Sequence, residues 1–487
     1  MVAEEKKIKG RKNGLYPALS DELAASMKSG WADTERRGLE PVEQAPYAAK
    51  RRAALSARFP GERLVVPAGR LKTRSNDTEY AFRPSSEYTH LTGDQTQDAV
   101  LVLEPRLGED GETADGHDAT VYLLPRSNRE NGEFWLDGQG ELWVGRRNSL
   151  AEGEQLLGLP ARDVRKVVDE LVEACAERPA PTRVLRGHDA PIEAALAPHT
   201  TLRTDEELRV FLSELRLVKD DWELGQLQNA VDSTVRGFTD VVRELSQAIA
   251  TSERWIEGTF FRRARVEGND IGYGSICAAG PHATTLHWVR NDGPVREGEL
   301  LLLDAGVETH TLYTADVTRT LPISGSFTDL QRKIYDAVYE AQEAGIAAVR
   351  PGAAFRDFHD AAQRVLAEHL VAWGLLEGPV ERVLELGLQR RWTLHGTGHM
   401  LGLDVHDCAQ ARVEQYVGGT LEPGMVLTVE PGLYFQEDDL TVPEEYRGIG
   451  VRIEDDILVT ADGRRNLSEG LPRTSAEVER WMAGLRG

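Results

Sequence analysis

Short apolar runs and longer periodic stretches alternate along the chain and predict a mixture of strands and helices. Runs closed by glycine or proline begin at Arg63 and predict short strands: RLVVPAG, AVLVLEP and ATVYLLPR. The segment DVRKVVDELVEACAE then has helical spacing, and TRVLRG is a further apolar segment. Residues 1–60 are charged and predicted to be helical, as in EQAPYAAKRRAALSARF, with the first dozen residues mobile.

A second pattern begins at Asp220 and predicts a helix that extends to about Ile249. Its apolar stripe consists of Leu224, Leu227, Val231 and Val235. Residues 335–349 and 355–370 are the clearest helices in the remainder of the chain, and strand-like runs are interleaved with them.

The length of the chain, 487 residues, exceeds the usual limit for a single hydrophobic core. The change of pattern predicts an N-terminal mixed α/β domain over residues 1–214 and a second domain, also built of strands and helices, over residues 215–487.

The overall charge and the cysteine content narrow the possible partners. The formal net charge is −23, whereas a nucleic-acid partner requires a basic footprint, so none is expected. No stretch approaches the ~20 apolar residues that span a bilayer, and the N-terminal segment lacks the apolar core of a secretory signal. Cys175, Cys277 and Cys408 have no disulfide or zinc spacing, which favours a cytoplasmic location. The acidic segment GEDGETADGHD, residues 108–118, is expected to be a surface loop with no assigned function.

Two aspartates follow or interrupt apolar runs in ELLLLDAGVETHTLYTADVTRTLP. Asp304 ends one predicted strand and Asp316 lies in a second, and a turn at residues 309–312 would pair the two strands as a hairpin. Carboxylates on adjacent strands could bridge a pair of metal ions. Alternatively, Asp304 caps a turn and Asp316 is a surface residue.

Two glutamates occupy similar positions further along. In GMVLTVEPGLYF, residues Thr428 and Glu430 face away from the apolar side of the strand. In GIGVRIEDDILVT, Arg452 and Glu454 do the same. Each glutamate alone could be a rim carboxylate or a partner of Arg452.

Histidines are concentrated in HGTGHMLGLDVHD, which contains His395, His399 and His406. The glycines of this segment favour a loop over a helix, and the glutamate of an HExxH zinc helix is missing. Upstream, His287 in PHATTLHWVRND is either a substrate-facing imidazole or a structural one, and His282 is interpreted as structural.

Clustered carboxylates must raise their pKa values or repel one another unless a cation neutralises them. Hard oxygen ligands with one imidazole suit Mn²⁺, Co²⁺, Fe²⁺ or Zn²⁺. The residues therefore predict a centre of two divalent metal ions with these ligands: Asp304, Asp316, His399, Glu430 and Glu454.

Taken in order, LLLDAG, ADVTRTLP, HGTGH, TVEPGLY and RIEDD resemble the ligand-bearing segments of the pita-bread metallopeptidases, the family of methionine aminopeptidase, prolidase and aminopeptidase P. The aspartates lie twelve positions apart, where many relatives have eleven. NDTEYAFRPSSEYTHLTG, ELWVGRRNSL and NLSEGLPRTSAEVERWM resemble segments of the aminopeptidase P group. The resemblance implies a pita-bread fold for residues 215–487, an N-terminal domain that contributes to oligomerisation, and a homodimer or homotetramer. It also favours Mn²⁺ as the metal.

This resemblance implies release of the N-terminal residue from peptides with proline at the second position, by a hydroxide that bridges the two metals. Glu430 would be the proton acceptor, His406 the donor to the oxyanion, and His287 a positioning group. It also implies substrate-binding residues: His395, Tyr434 and Arg452. Trp143 or Asp77 would reach the site of a neighbouring subunit. A prolidase restricted to Xaa-Pro dipeptides, a creatinase-like hydrolase and a non-catalytic pita-bread binding protein are the alternatives.

Overall fold

The computed structural model describes residues 20–107 and 114–485. Two compact units divide the chain, and the second begins at Glu206. The predicted mobile start of the chain and residues 108–113 of the acidic segment lie outside the described residues. The prediction of a surface loop is wrong for residues 114–118, which begin a strand that pairs with residues 100–107. Among the helices that are described, none has both the length and the apolar content needed to cross a membrane.

The first unit is a mixed sheet with helices. Its helices are α1 (Asp21–Ser26), α2 (Ala45–Arg58), α3 (Ser86–Thr92), α4 (Glu133–Leu136), α5 (Glu141–Val144), α6 (Leu150–Leu157), α7 (Val167–Glu177) and α8 (Ala190–Leu196), followed by α9 (Leu202–Glu214), which continues into the second unit. Its strands are β1 (Arg63–Pro67), β2 (Thr73–Ser75), β3 (Thr78–Glu79), β4 (Val100–Leu107), β5 (Ala114–Leu123), β6 (Ala161–Asp163) and β7 (Thr182–Val184).

Five of these strands form one sheet in the order β6-β5-β4-β1-β7. The central pairs β1–β4 and β4–β5 are antiparallel, whereas β7 and β6 add in parallel at the two edges. Val65 and Val102 from the sheet pack with Leu171 of α7 and Ile192 of α8 in one buried cluster. The predicted strands from Arg63 onward are therefore confirmed.

The prediction of a helical start is confirmed for α2 but wrong for residues 27–44. Gly30 and Gly38 have φ values of 82° and 66° in that segment. These left-handed conformations interrupt a helix, and Pro41 cannot donate a helical hydrogen bond.

The second unit combines long helices with short antiparallel strands. Its helices are α10 (Asp221–Arg243), α11 (Leu245–Ala250), α12 (Glu253–Glu267), α13 (Asp329–Ala348), α14 (Asp357–Ala372), α15 (Val380–Leu386) and α16 (Ser475–Leu485). Its strands are β8 (Asp270–Ile271), β9 (Ile276–Ala279), β10 (Leu300–Ala305), β11 (Val307–Glu308), β12 (Val317–Pro322), β13 (Val426–Val429), β14 (Gly432–Phe435), β15 (Ile449–Arg452), β16 (Asp455–Thr460) and β17 (Gly463–Asn466).

Local chemistry explains where the first long helix of this unit begins. The Asp220 side chain accepts from the backbone N–H of Glu223, and the Glu223 side chain accepts from that of Asp220. This reciprocal capping box satisfies two donors that the first turn would otherwise leave open. The predicted single helix to Ile249 is divided at Glu244 into α10 and α11.

Three small sheets contain the strands that carry or flank the candidate carboxylates: β12-β10-β9, β13-β16-β17 and β14-β15. The main core of the unit joins these strands to α10, α12, α13 and α14, with Phe238, Phe260, Leu301 and Tyr335 at 0% exposure. The predicted mixed α/β fold class is confirmed.

Candidate active site

The two aspartates lie at the same end of one antiparallel strand pair. Strands β10 and β12 pair so that Asp304 stands opposite Thr318, and Asp316 directly precedes β12. The connection turns at residues 309–312, where the backbone N–H of Leu312 donates to the Thr309 carbonyl at 2.9 Å. The predicted hairpin is therefore confirmed, and both carboxylates are buried.

A tyrosine lies between these aspartates. The hydroxyl oxygen of Tyr273 is 2.6 Å from Asp304 Oδ1 and 2.5 Å from Asp316 Oδ1. Burial, then the charges of the two aspartates, raises the pKa of Tyr273 well above its ordinary value. The hydroxyl therefore keeps its single proton, which it can donate to only one of the two carboxylates at a time.

Glu430 follows strand β13, whose alternation has the predicted form. Met425, Leu427 and Val429 pack into one core cluster, whereas Thr428 and Glu430 face the site. The backbone of this strand binds the histidine loop: Thr428 N–H donates to the His399 carbonyl at 2.9 Å, and Glu430 N–H to that of Thr397 at 2.8 Å. A Cβ at Gly398 would lie 2.0 Å from the Thr428 carbonyl oxygen, so only glycine allows this approach. The predicted glycine-rich loop is confirmed.

Glu454 lies between β15 and β16 and is 1% exposed. Thr318 holds it on both sides, since its hydroxyl donates to Glu454 Oε2 at 2.6 Å and its carbonyl accepts from the Glu454 N–H at 3.0 Å. Arg452 donates to Asp304 Oδ2 at 2.5 Å. The ion pair of Arg452 is thus made with the aspartate.

His399 lies at the centre of the acids. Its Nε2 is 3.3 Å from Asp316 Oδ2 and 3.6 Å from Glu430 Oε1. Its Nδ1 is 3.0 Å from the Met400 carbonyl, which can only accept, so Nδ1 carries a hydrogen and Nε2 faces the carboxylates. Burial lowers the pKa of this imidazole, but the hydrogen bond to Asp316 and the charge of Glu430 outweigh burial and raise it to about 9.

Two further histidines flank the cluster. The His406 ring lies edge-on to His399 with the ring centres 4.2 Å apart, and burial followed by the charge of His399 lowers its pKa. The Nδ1 of His395 donates to the Gly396 carbonyl at 2.7 Å, and its Nε2 is 2.8 Å from the Tyr434 hydroxyl. Burial, then the charge of Arg452, lowers the pKa of His395 to about 4, so its ring is neutral at pH 7 and Nε2 accepts from Tyr434.

Tyr434 is itself oriented by Arg452, whose Nη1 donates to the tyrosine hydroxyl at 3.0 Å. Arg452 therefore links Asp304 to the pair formed by Tyr434 and His395. His287 lines the cavity next to these groups. In contrast, His282 is 2.8 Å from Glu253 and stacks on Trp288 at 3.8 Å, as expected of a structural histidine.

One cavity of about 540 Å³ is lined by the five predicted ligands together with His287, His395, His406, Arg452 and Tyr273. Ile276, Leu286, Val289 and Val405 form an apolar part of its wall. The structure thus brings together the residues predicted to serve this site from within one subunit, with Tyr434 reaching the cavity through His395 and Arg452. The reach of Trp143 or Asp77 into a neighbouring subunit stays a prediction.

The carboxylates of this cavity are short of positive charge. Burial raises the pKa of Glu430 to about 7. Burial followed by the charges of Asp316 and Glu430 raises the pKa of Glu454 well above its ordinary value. Burial also raises the pKa of Asp304, although Arg452 opposes it.

The donor set fits a divalent cation. Asp316, His399 and Glu454 each offer a ligand atom, and these atoms lie within 4.8 Å of one another. Carboxylate oxygens together with one imidazole are typical ligands of such a metal. The imidazole of His399 also has the usual second partner, because its Nδ1 donates to the Met400 carbonyl and leaves Nε2 for the metal.

Three residues of the site, Tyr273, Thr318 and Asp456, were not predicted from the sequence. Asp456 is buried, and its Oδ2 accepts from the backbone N–H of Asp316 at 3.2 Å. The only signal for Tyr273 is its position between two glycines in IGYGS, and Thr318 could have been found from its place opposite Asp304 in the predicted hairpin.

Similarity to known proteins extends over almost the whole chain. Residues 225–461 match the model of metallopeptidase family M24, and residues 48–182 match the aminopeptidase P N-terminal domain. Xaa-Pro aminopeptidase 1 of Streptomyces coelicolor is 77% identical over 99% of this chain and 96% of its own length. Xaa-Pro aminopeptidase of Escherichia coli is 31% identical over 92% of this chain and 100% of its own. The solved structure of Escherichia coli aminopeptidase P with the inhibitor Pro-Leu superposes with a TM-score of 0.80 at 30% identity, covering 92% of this chain and 100% of that one.

Proposed function

The chain belongs to metallopeptidase family M24, and we propose that it is an Xaa-Pro aminopeptidase, which releases the first residue of peptides whose second residue is proline. The observation that carries the proposal is that four carboxylates, three of them buried, and His399 converge on one cavity. Among the described residues that line this cavity, Arg452 is the single arginine or lysine.

We propose that two divalent metal ions are held by the five predicted ligands: Asp304, Asp316, His399, Glu430 and Glu454. Bound there, the metals supply a water of lowered pKa and polarise the scissile carbonyl. Mn²⁺ is our choice of metal, because four of the five donors are carboxylates and none is a thiolate.

The residues around the cavity would divide the remaining work. Glu430, next to His399, would accept a proton from the attacking water and deliver it to the proline nitrogen, which must be protonated to leave. His406 would donate a hydrogen bond to the oxygen that becomes negative, with His287 positioning the scissile bond. His395 and Tyr434 form a wall that Arg452 fixes in place.

Selection for proline would come from the apolar part of the cavity, where Ile276, Leu286, Val289 and Val405 present no donor or acceptor from their side chains. An Xaa-Pro bond has no N–H group. A protease that must hydrogen-bond that group cannot use such a peptide, whereas an apolar wall accepts the proline ring.

The test compares hydrolysis of Ala-Pro with that of Ala-Pro-Ala after loading with Mn²⁺. Cleavage of the tripeptide supports the proposal, and activity on the dipeptide alone would identify a prolidase instead. Glu430→Ala is the inactive control, because it removes the proposed proton acceptor. Protein that binds no divalent metal and cleaves neither peptide would favour the non-catalytic alternative.

We further propose a cytoplasmic homodimer or homotetramer. Three buried, free cysteines support a reducing compartment. Leu142, Trp143 and Val144 on α5 are each more than half exposed, an apolar patch of the kind that subunit contacts cover. Light scattering coupled to gel filtration measures the assembly directly.

A further inference from the structure

A second cavity adjoins the catalytic one. Its volume is about 930 Å³, larger than the 540 Å³ of the catalytic cavity, and the two share His395 and Gly396 in their walls. It lies against α14 and the segment that precedes the histidine loop. A chain that leaves the catalytic cavity past His395 therefore enters this second space, which we name the arginine groove.

The arginine groove is positively charged at exposed positions. Arg356, Arg364 and Arg390 line it. Arg364 is 3.4 Å from Glu381, but within residues 20–107 and 114–485 neither Arg356 nor Arg390 forms an ion pair. The charges of Arg356 and Arg390 both reach the imidazole of His359. Burial lowers the pKa of this imidazole, and the two arginines lower it further.

The acidic residues of the groove only partly offset these charges. Glu385 pairs with Arg382 at 2.7 Å, and Asp360 opposes the two arginines at His359. A basic groove is unexpected in a chain whose net charge is −23, where most surface potential repels anions.

Apolar side chains complete the groove. Leu394 is 64% exposed and Leu386 is 51% exposed, and both line it. Leu394 directly precedes His395, so apolar surface runs up to the boundary with the catalytic cavity. This combination suits a peptide, which presents both side chains and charge.

We propose that the arginine groove binds the residues of a peptide substrate that follow the proline, and that it favours a carboxylate among them. This inference rests on the proposed function. Arginine binds carboxylate through two parallel hydrogen bonds, which makes unpaired arginines selective for that group. The carboxylate can belong to an acidic side chain or to the C-terminus of a short peptide, because each residue of an extended chain adds about 3.3–3.6 Å of reach.

The experiment measures kcat/KM on amidated Ala-Pro-Ala-Ala-Asp-Ala, on the same peptide with Asn for Asp, and on the Asn peptide with a free C-terminus. We expect the Asp peptide to be preferred over its amidated Asn counterpart by about tenfold at low salt, and less in high salt. The free-acid Asn peptide separates recognition of the side chain from recognition of the terminus.

The variant Arg356→Gln/Arg390→Gln should reduce the preference to about one while leaving hydrolysis of amidated Ala-Pro-Ala unchanged. The matched control is Arg262→Gln/Arg412→Gln, which removes two exposed arginines of the same unit; neither they nor their partners Glu244 and Glu214 line the groove. If this control lost the preference equally, long-range charge would be the cause and the inference would fail. Equal rates of the wild type on the Asp and Asn peptides would also overturn the inference, while leaving the proposed function intact. If no Xaa-Pro peptide were cleaved, the proposed function itself would be overturned.

Discussion

Asp407 is the residue whose replacement tests the architecture of the site most directly. It follows His406, is 1% exposed, and accepts from Arg216 Nε at 2.8 Å. Lys219 Nζ, itself 1% exposed, is 3.8 Å from the other carboxylate oxygen. Asp407→Asn keeps the shape and the acceptor for Arg216 but removes the charge, and its amide hydrogens would face the ammonium group of Lys219.

The magnitude follows from this burial. Removing one partner of a buried ion pair costs about 3–5 kcal/mol, because the remaining charge stays out of water. Here one carboxylate serves two cations, Arg216 and Lys219, so we expect a loss at the upper part of that range. The matched control is Asp404→Asn on the same loop. Asp404 is 39% exposed and 3.7 Å from Arg216, so water screens its charge and we expect its replacement to cost only about 0.2–1 kcal/mol.

Urea unfolding of the full chain, followed by tryptophan fluorescence, gives the free energies to compare. Burial alone would raise the pKa of Asp407, but Arg216 and Lys219 outweigh burial and lower it. A carboxyl with a lowered folded-state pKa stabilises fully above its unfolded-state pKa of about 3.9 and loses that contribution as the pH falls through the folded-state value. The difference between wild type and Asp407→Asn should therefore be complete at pH 7 and shrink below about pH 4. A loss under about 1 kcal/mol at pH 7, or equal losses in both variants, would show that the Asp407 carboxylate does not stabilise the two buried cations.

Three further predictions concern the catalytic cavity. Gly398→Ala should destabilise the protein by more than about 2 kcal/mol, because its Cβ would lie 2.0 Å from the Thr428 carbonyl oxygen. The control is Gly396→Ala, which has no atom within 4 Å of its added Cβ and should change stability by less than about 0.5 kcal/mol. Equal melting temperatures of the two variants would contradict the close approach of Gly398 to the Thr428 backbone. His406→Ala should lower kcat by about 10²–10³ with little change in KM, whereas a change in KM alone would make it a binding residue. Chelation should abolish turnover, and Mn²⁺ at 100 times its Kd should stabilise the metal-free protein by about 2.7 kcal/mol, so a melting temperature indifferent to Mn²⁺ would argue against a native metal site.

Patterns with a short period carried most of the successful predictions. Alternation along a strand is a local pattern. The prediction that Glu430 and Glu454 face away from the apolar positions therefore required no knowledge of the rest of the chain. The same holds for the glycines that exclude a helix at residues 395–402. By contrast, the position of Tyr273 depends on partners 31 and 43 positions later, a tertiary contact with no periodic signal.

Register explains why the partner of Arg452 could not be inferred. Alternation places Arg452 and Glu454 on one side of their strand, which made them plausible partners. The observed pairing of β10 with β12 sets Thr318 opposite Asp304. Thr318 then holds the Glu454 carboxylate, and Arg452 is left to Asp304. A shift of one residue in this pairing would turn the Thr318 side chain to the other face and free Glu454 for Arg452. The predicted hairpin specified that the strands pair, but the charge balance of the site depends on which residues stand opposite each other, and that is decided by packing across the whole unit.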